Sequence, residues 1–317
     1  MLKTLKNAWG IEELRKKILF TLFIILVYRL GNAVPVPYVN TAMLESYFNT
    51  VNNTILGLWN TMSGGSFSMA TIFALSIQPY INASIIIQLL TIAIPALERL
   101  QKEGGEEGRK KIAAITRYTT VGIGLIMGFA YYMLIKNGVN GQSMLTSDGV
   151  GIWPAIVIIM TFMAGSALIM WMGEQVTEFG VGNGISIILF ASIIARFPSS
   201  IGTMITNVSS GSLAWWALAL VIIGALAIIV LIVIVNDAER RIPVQYSKRV
   251  VGRKLYGGQS KHLPMKVNMS GVMPIIFASS IASIPGTICA FVPSWQDSWV
   301  MKNMFGTNTI PYAIIYF

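Results

Sequence analysis

Few residues in this chain could do covalent chemistry. Glu174 and Glu178 stand in GEQVTEFGVGNGIS at the end of an apolar run, His262 is the single histidine and Cys289 the single cysteine. A lone cysteine excludes an intrachain disulfide framework. His262 lies in a basic stretch with no cysteine, histidine or carboxylate cluster beside it, so no metal site is expected. The sequence holds no HExxH, no GxSxG and no P-loop pattern. Glycines at 180, 182 and 184 are regularly spaced, but phosphate binding needs a following basic group and a strand context, and neither is present. They read instead as a tight turn, where positive φ or close backbone approach is needed. Carboxylates inside apolar runs, which proton-coupled transport uses, are missing as well. No enzymatic activity, cofactor or metal is therefore expected. The remaining chemistry is non-covalent: apolar surface, positive charge, and mild hydrogen-bonding groups at Ser76, Gln78, Asn82, Ser84 and Gln88.

The elements that must position these groups are apolar. Hydrophobic residues make up 54% of the 317 and charged residues 11%, against about 25% charged in soluble domains. Leu213 to Val235 is an uncharged apolar run long enough to span a bilayer. Further spans are expected at Ile18 to Val34, Thr119 to Ile135, Gly151 to Met172, Gly184 to Phe197 and Ser270 to Val292. These long runs exclude a β-barrel, whose strands alternate. The fold class is therefore an all-α polytopic membrane protein. Lys16 and Lys17 before Ile18 to Tyr28 resemble a cleaved signal, but Arg29 ends that run and several spans follow, so a first spanning helix fits better.

One apolar stretch is broken. Between Gly64 and Pro95, Pro79 separates Ser66 to Gln78 from Tyr80 to Ile94, and neither piece reaches the length of a span. Two half-helices meeting within the membrane are expected. Irregular backbone at that depth is tolerated only when buried in protein or lining a water-filled path. On the second piece Ile81 and Ile85 share a helical face, as do Ile185 and Leu189 on a later run. Such pairs pack in most helices, but a ring of them at a constriction would gate by dewetting.

The net charge is +10, and 19 of the 23 Lys and Arg residues fall in three places. These are the N-terminal arm, the loop at 96–117, and the loop at 236–268. The positive-inside rule places all three in the cytoplasm, and Gly31 to Gln78, without Lys or Arg, outside. The loop at 236–268 carries aromatics and glycines among its cations, more than topology requires. Electrostatic docking of an acidic partner or RNA phosphate is expected there.

Four stretches carry a family resemblance: PYINASIIIQLL (79–90), KEGGEEGRKKIAAITRY (102–118), MWMGEQVTEFGVGNGISIILFASIIAR (170–196), and RRIPVQYSKRVVGRKLYGGQSKHLPMKVNMSGVMPIIFASSI (240–281). With these the chain resembles the SecY/Sec61α family, channel subunits of the Sec protein translocase. The resemblance implies a SecY-type helical channel, with an N-terminal five-helix half at 1–197 and an incomplete second half at 198–317. It implies a plug formed by Gly64, Gly65, Ser66, Phe67, Ser68, Met69, Ala70, Thr71, Ile72, Phe73, Ala74, Leu75, Ser76 and Ile77. A pore ring follows at Ile81, Ile85, Ile185, Leu189 and Ile276. Leu189 replaces the isoleucine common there, a swap that conserves volume. A lateral gate would be walled by 79–94, 118–135 and a helix starting near Ser270. Partner docking would fall on Arg109, Lys110 and Lys111 in the first loop and on Arg240, Arg241, Lys248, Arg249, Arg253 and Lys254 in the second.

The resemblance also implies partners: SecE and SecG subunits, the SecA motor, the ribosome, signal sequences and nascent polypeptides, and anionic lipids. It implies a multi-pass protein of the bacterial plasma membrane with a cytoplasmic N-terminus. The chain stops at Phe317, where an eighth helix would begin, so a C-terminally truncated form is expected. Two alternatives stand beside the passive channel. One is a secondary transporter with broken helices, which would need a polar midplane site that the sequence lacks. The other is a nonfunctional truncated relative.

Overall fold

The computed structural model describes residues 9–50, 55–138, 143–149, 151–211, 214–244, 249–251, 254–256, 261–268 and 278. The chain divides into two compact units, residues 1–198 with 279–317, and residues 199–278.

In the first unit, helix α1 (Glu12–Gly31) has Glu12 and Glu13 in its first turn and Arg29 in its last, which suits the helix dipole. Two short helices follow, α2 (Thr41–Thr50) and α3 (Ile55–Met62). Helix α4 (Gln78–Ala93) starts with Pro79 in its first turn, where the missing N–H costs nothing. A second proline opens α5 (Pro95–Lys102), and α4 and α5 meet at 101°. Helix α6 (Gly105–Asn137) is 33 residues long. After a single 3₁₀ turn at Ser147–Gly149 come α7 (Ile152–Phe179) and α8 (Gly184–Ile194).

Helix α6 packs between α4 and α7, and α7 also supports α1 and α8. The core gathers Leu44, Phe48, Phe67, Tyr131, Ile135 and Phe162. The stretch expected as a loop at 96–117 is instead helical, divided between α5 and the start of α6. Its charges pair one turn apart, Lys102 to Glu98 at 2.6 Å and Lys111 to Glu107 at 3.3 Å, which favours helix. At Gly108 a Cβ would sit 2.0 Å from the Leu100 carbonyl oxygen, so glycine lets α5 and α6 touch through their backbones.

Helix α9 (Phe197–Ser209) leads into the second unit, which continues with α10 (Trp215–Asp237). α10 is apolar and exposed along nearly its whole length, as a lipid-facing helix would be. Strand β1 (Glu239–Val244) then pairs antiparallel with β4 (Lys261–Lys266), and β2 (Arg249–Val251) with β3 (Lys254–Tyr256). Val244 faces Lys261 at the end of the first ladder, and Arg249 faces Tyr256 at the start of the second.

Among the described residues, four helical stretches are long and apolar enough to cross a membrane: α6, α7, Gly184–Ser209 and α10. The bent pair α4 and α5 is a fifth when the two are counted as one broken span. The charges at both ends of α1 keep it out of that set, although its middle is the apolar run read from the sequence. The expected span at Ser270 to Val292 lies outside the described residues apart from Ala278.

Candidate functional site

The sequence predicts a half-helix over Ser66 to Gln78. The structure has a chain of turns from Ser63 to Ile77 and starts its helix at Gln78. The N–H groups of Ala70, Ala74, Ser76 and Gln78 each bond the carbonyl three residues back, at 2.8–3.3 Å. The backbone turns left-handed at Gly64, Gly65, Ala70 and Ser76, with φ of 70°, 91°, 44° and 50°. Each such residue interrupts an α-helix, and at Ala70 and Ser76 the side chain adds strain.

Other bonds replace the helical ones. The Val36 N–H donates to the Ala70 carbonyl at 2.9 Å, and the Ile72 N–H to the Val34 carbonyl at 3.0 Å. Asn60 accepts from the Ser68 N–H at 3.0 Å and Ser63 from the Phe67 N–H at 3.1 Å. The segment is buried almost throughout, Met69 being its one exposed residue.

Its seat is cut to backbone shape. A Cβ on Gly165 of α7 would lie 2.0 Å from the Ile72 carbonyl oxygen, and one on Gly31 of α1 would lie 2.0 Å from the Phe73 ring. Phe67 stacks on Tyr131 of α6, with centroids 4.3 Å apart, and the Tyr131 hydroxyl donates to the Phe67 carbonyl. Phe73 stacks on Tyr28 of α1 at 5.6 Å. Sequence reasoning missed these four seat residues. Gly31 and Gly165 carry no local turn pattern, and Tyr28 and Tyr131 stand inside apolar runs with no motif around them.

Ile81 and Ile85 follow on α4 and are both buried. Ile185 and Leu189 are half-buried on α8, and Ile185 reaches towards Gly173 of α7. Helices α4 and α8 both pack on α7. Ile276 lies outside the described residues.

The turn read at the glycines is present between α7 and α8. Gly182 has a φ of 68°, and a Cβ on Gly184 would meet the Gly173 carbonyl oxygen at 2.0 Å. Asn183 caps α8 by accepting from the Ile185 and Ser186 N–H groups at 3.1 and 3.2 Å. Glu174, unassigned by its sequence context, accepts from Arg117 Nε at 2.8 Å and ties α7 to α6.

The candidate docking cations fall in two places, one in each unit. Arg109, Lys110 and Lys111 are exposed in the second turn of α6, where Lys111 pairs with Glu107. On α5 nearby, Lys102 donates a hydrogen bond to the Glu98 carboxylate, which raises the Lys102 pKa. In the second unit, successive strand residues face opposite ways. Arg241 therefore shares a face with His262 and Lys266, whereas Arg240 shares the other with Ile242, Leu263 and Met265. All seven are exposed. Arg249 and Lys254 lie in the second ladder, while Lys248 and Arg253 lie outside the described residues. Among the described residues no group of three or more His, Cys, Asp or Glu could hold a metal ion.

Comparison with known proteins adds identity to this geometry. The family model named SecY matches residues 71–317. The chain belongs to the SecY family. A relative from Streptomyces coelicolor named protein translocase subunit SecY is 42% identical over 328 residues, covering all of this chain and 74% of that protein. One of the same name from Aquifex aeolicus is 39% identical, covering all of this chain and 73% of that protein. The SecY-type fold is shared with a solved protein conducting channel at a TM-score of 0.62 and 17% identity, over 87% of this chain and 58% of that one. Sec61 in the canine ribosome-channel complex gives 0.58 at 16% identity, with the same coverages. The chain thus spans about three-quarters of its curated SecY relatives and less than two-thirds of the solved channels. It is a multi-pass membrane protein of this family.

Proposed function

We propose that this chain contributes to a passive protein-conducting channel, through which secretory proteins cross the bacterial plasma membrane and membrane proteins enter it. The observation that carries this reading is the segment at 64–77, irregular backbone buried among α1, α6, α7 and α8 at the mouth of the short helix α4. Irregular backbone at membrane depth is tolerated where protein covers it or a path runs past it. In this reading the segment is the plug. Ile81, Ile85, Ile185 and Leu189, with Ile276, form the apolar ring below it. A stopper that must leave and return suits turns seated on glycine, because neither face depends on an interlocked helix.

The basic residues fit a docking role by charge. Arg109, Lys110 and Lys111 form one patch and Arg241 begins another, with Arg240, Lys248, Arg249, Arg253 and Lys254 completing the set. Their partners would be the SecA motor and the ribosome, with SecE and SecG as companion subunits and anionic lipids beneath. The same charge pattern supports a cytoplasmic N-terminus. The five-helix half at 1–197 and the partial half at 198–317 would be the two arms of the channel. No catalytic step belongs to this reading.

A photo-crosslinking residue at Ile81, in the full chain assembled with its partner subunits, should trap a stalled secretory polypeptide. Failure to crosslink, with a substrate that still engages the motor, would overturn the assignment.

A further inference from the structure

We propose that Tyr131 and Tyr28 are the positioning residues that hold segment 64–77 in its seat, one clasp at each end. The proposal rests on the reading of that segment as a movable plug and adds what retains it.

The first clasp grips Phe67. Its ring lies 4.3 Å from that of Tyr131 with the planes 18° apart, close to parallel stacking. The Tyr131 hydroxyl donates to the Phe67 carbonyl, which also accepts from the Ala70 N–H. Phe48 and Trp59 add edge contacts to Phe67 at 5.2 and 6.2 Å. Ring and backbone of one residue are thus both held by a single side chain of α6.

The second clasp grips Phe73. Its ring lies 5.6 Å from that of Tyr28 with the planes 7° apart. Tyr28 is fully buried. Ser192 donates to the Ile188 carbonyl at 2.8 Å, which leaves the Tyr28 hydroxyl to donate to Ser192 Oγ at 2.7 Å. The hydroxyl therefore fixes the ring plane against α8, and the ring holds Phe73. Aromatic pairs of this kind add specific geometry to apolar burial.

The rest of the seat is not fully bonded. The Ser76 hydroxyl and both polar atoms of the Asn32 amide are buried without a partner. Ala70 and Ser76 are held at positive φ. Unpaired buried groups and strained residues both raise the energy of the seated state. The two tyrosines offset that cost at the positions where the segment is otherwise held by turns.

The test places single cysteines at Ser68 or Ala74 within the segment, or at Val176 in the core of α7, in a Cys289→Ser background. Membrane-impermeant maleimide then reports opening in the full chain assembled in proteoliposomes. Tyr131→Phe should raise reactivity at position 68 by about twofold to tenfold, the range for a buried hydrogen bond, with less change at 74 and none at 176. Tyr28→Leu should raise position 74 more than 68, and Tyr28→Phe, which keeps the ring, should restore most of the protection.

Equal increases at 68, 74 and 176 would mean general destabilisation and overturn the proposal. So would no increase for either tyrosine variant. Anion leak measured on the same vesicles separates the two readings. An end-specific pattern without added leak keeps the clasps and removes the plug. Added leak without an end-specific pattern keeps the plug and removes the clasps.

Discussion

One methyl group at Gly165 should unseat the segment at 63–77. In Gly165→Ala the new Cβ would lie 2.0 Å from the Ile72 carbonyl oxygen, 2.9 Å from its carbon and 3.1 Å from its Cγ2. Ordinary contact begins near 3.4 Å, so helix and segment must part by about 1.4 Å. The obstacle is backbone, and the Ile72 N–H is bonded to the Val34 carbonyl at 3.0 Å, so no side chain can swing aside. Overpacking of this kind costs about 1–3 kcal/mol, a factor of about 5–150 in the seated-to-open equilibrium. Alanine also improves the helix propensity of α7, by up to about 1 kcal/mol. That gain acts on seated and open states alike and cancels between them. Cysteine at Ala74, in a Cys289→Ser background, reports the change through its rate of modification by an impermeant maleimide. Gly122→Ala on α6, with nothing within 4 Å of its Cβ, is the control. If Gly165→Ala and Gly122→Ala give the same rate, the close approach does not hold the segment and the reasoning fails.

Three further outcomes are expected. Ile81→Asn puts an amide at a buried position, at a cost of about 1–3 kcal/mol if unpaired. Ion conductance through reconstituted channels should rise, and unchanged leak would mean that Ile81 only packs. Asn183→Ala removes both capping bonds of α8 and should cost about 1 kcal/mol, read as a lower midpoint in thermal unfolding of the detergent-solubilised chain. An unchanged midpoint would show that the glycine turn holds α8 without its cap. Arg241→Glu combined with Lys266→Glu reverses the charge on one face of the β1–β4 ladder. Binding to an acidic partner should fall at low salt and converge with the parent chain near 1 M salt, where the screening length is about 3 Å. A salt-independent loss would point to misfolding of the ladder instead.

The spanning helices were legible because long uncharged runs have few alternatives. α7 and α10 start and stop within a few residues of the apolar runs that announce them, apart from the polar end of α7. The turn around Gly182 was legible for a local reason, since spaced glycines favour positive φ. The stretch at 63–77 was not. It has the composition of a helix, and an apolar run alone cannot say whether its backbone bonds go inward or to neighbours. At Ser68, Ala70 and Ile72 the backbone bonds to Asn60, Val36 and Val34, elsewhere in the chain, rather than along a helix. Pro79 read as the break between two half-helices, whereas it opens one, as proline at a first turn does. The loop at 96–117 hid its helices behind charge, and only the one-turn spacing of its Glu and Lys pairs hinted at them. Tyr28, Tyr131, Gly31 and Gly165 meet residues of segment 64–77 that are 42 to 93 residues away, so no local window contains their meaning.

Helix α6 has a mechanical consequence. Its 33 residues make a rod about 50 Å long, against a hydrocarbon thickness of about 30 Å. Arg109, Lys110 and Lys111 sit near one end, and Tyr131 lies about 30 Å further along the same rod. Tilting the rod by about 5° around its basic end would carry Tyr131 roughly 3 Å sideways, as far as a hydrogen bond is long. Whatever grips those cations therefore also has leverage on the carbonyl that Tyr131 holds. A push on the basic end would be felt at segment 64–77 with no messenger beyond the stiffness of a single helix.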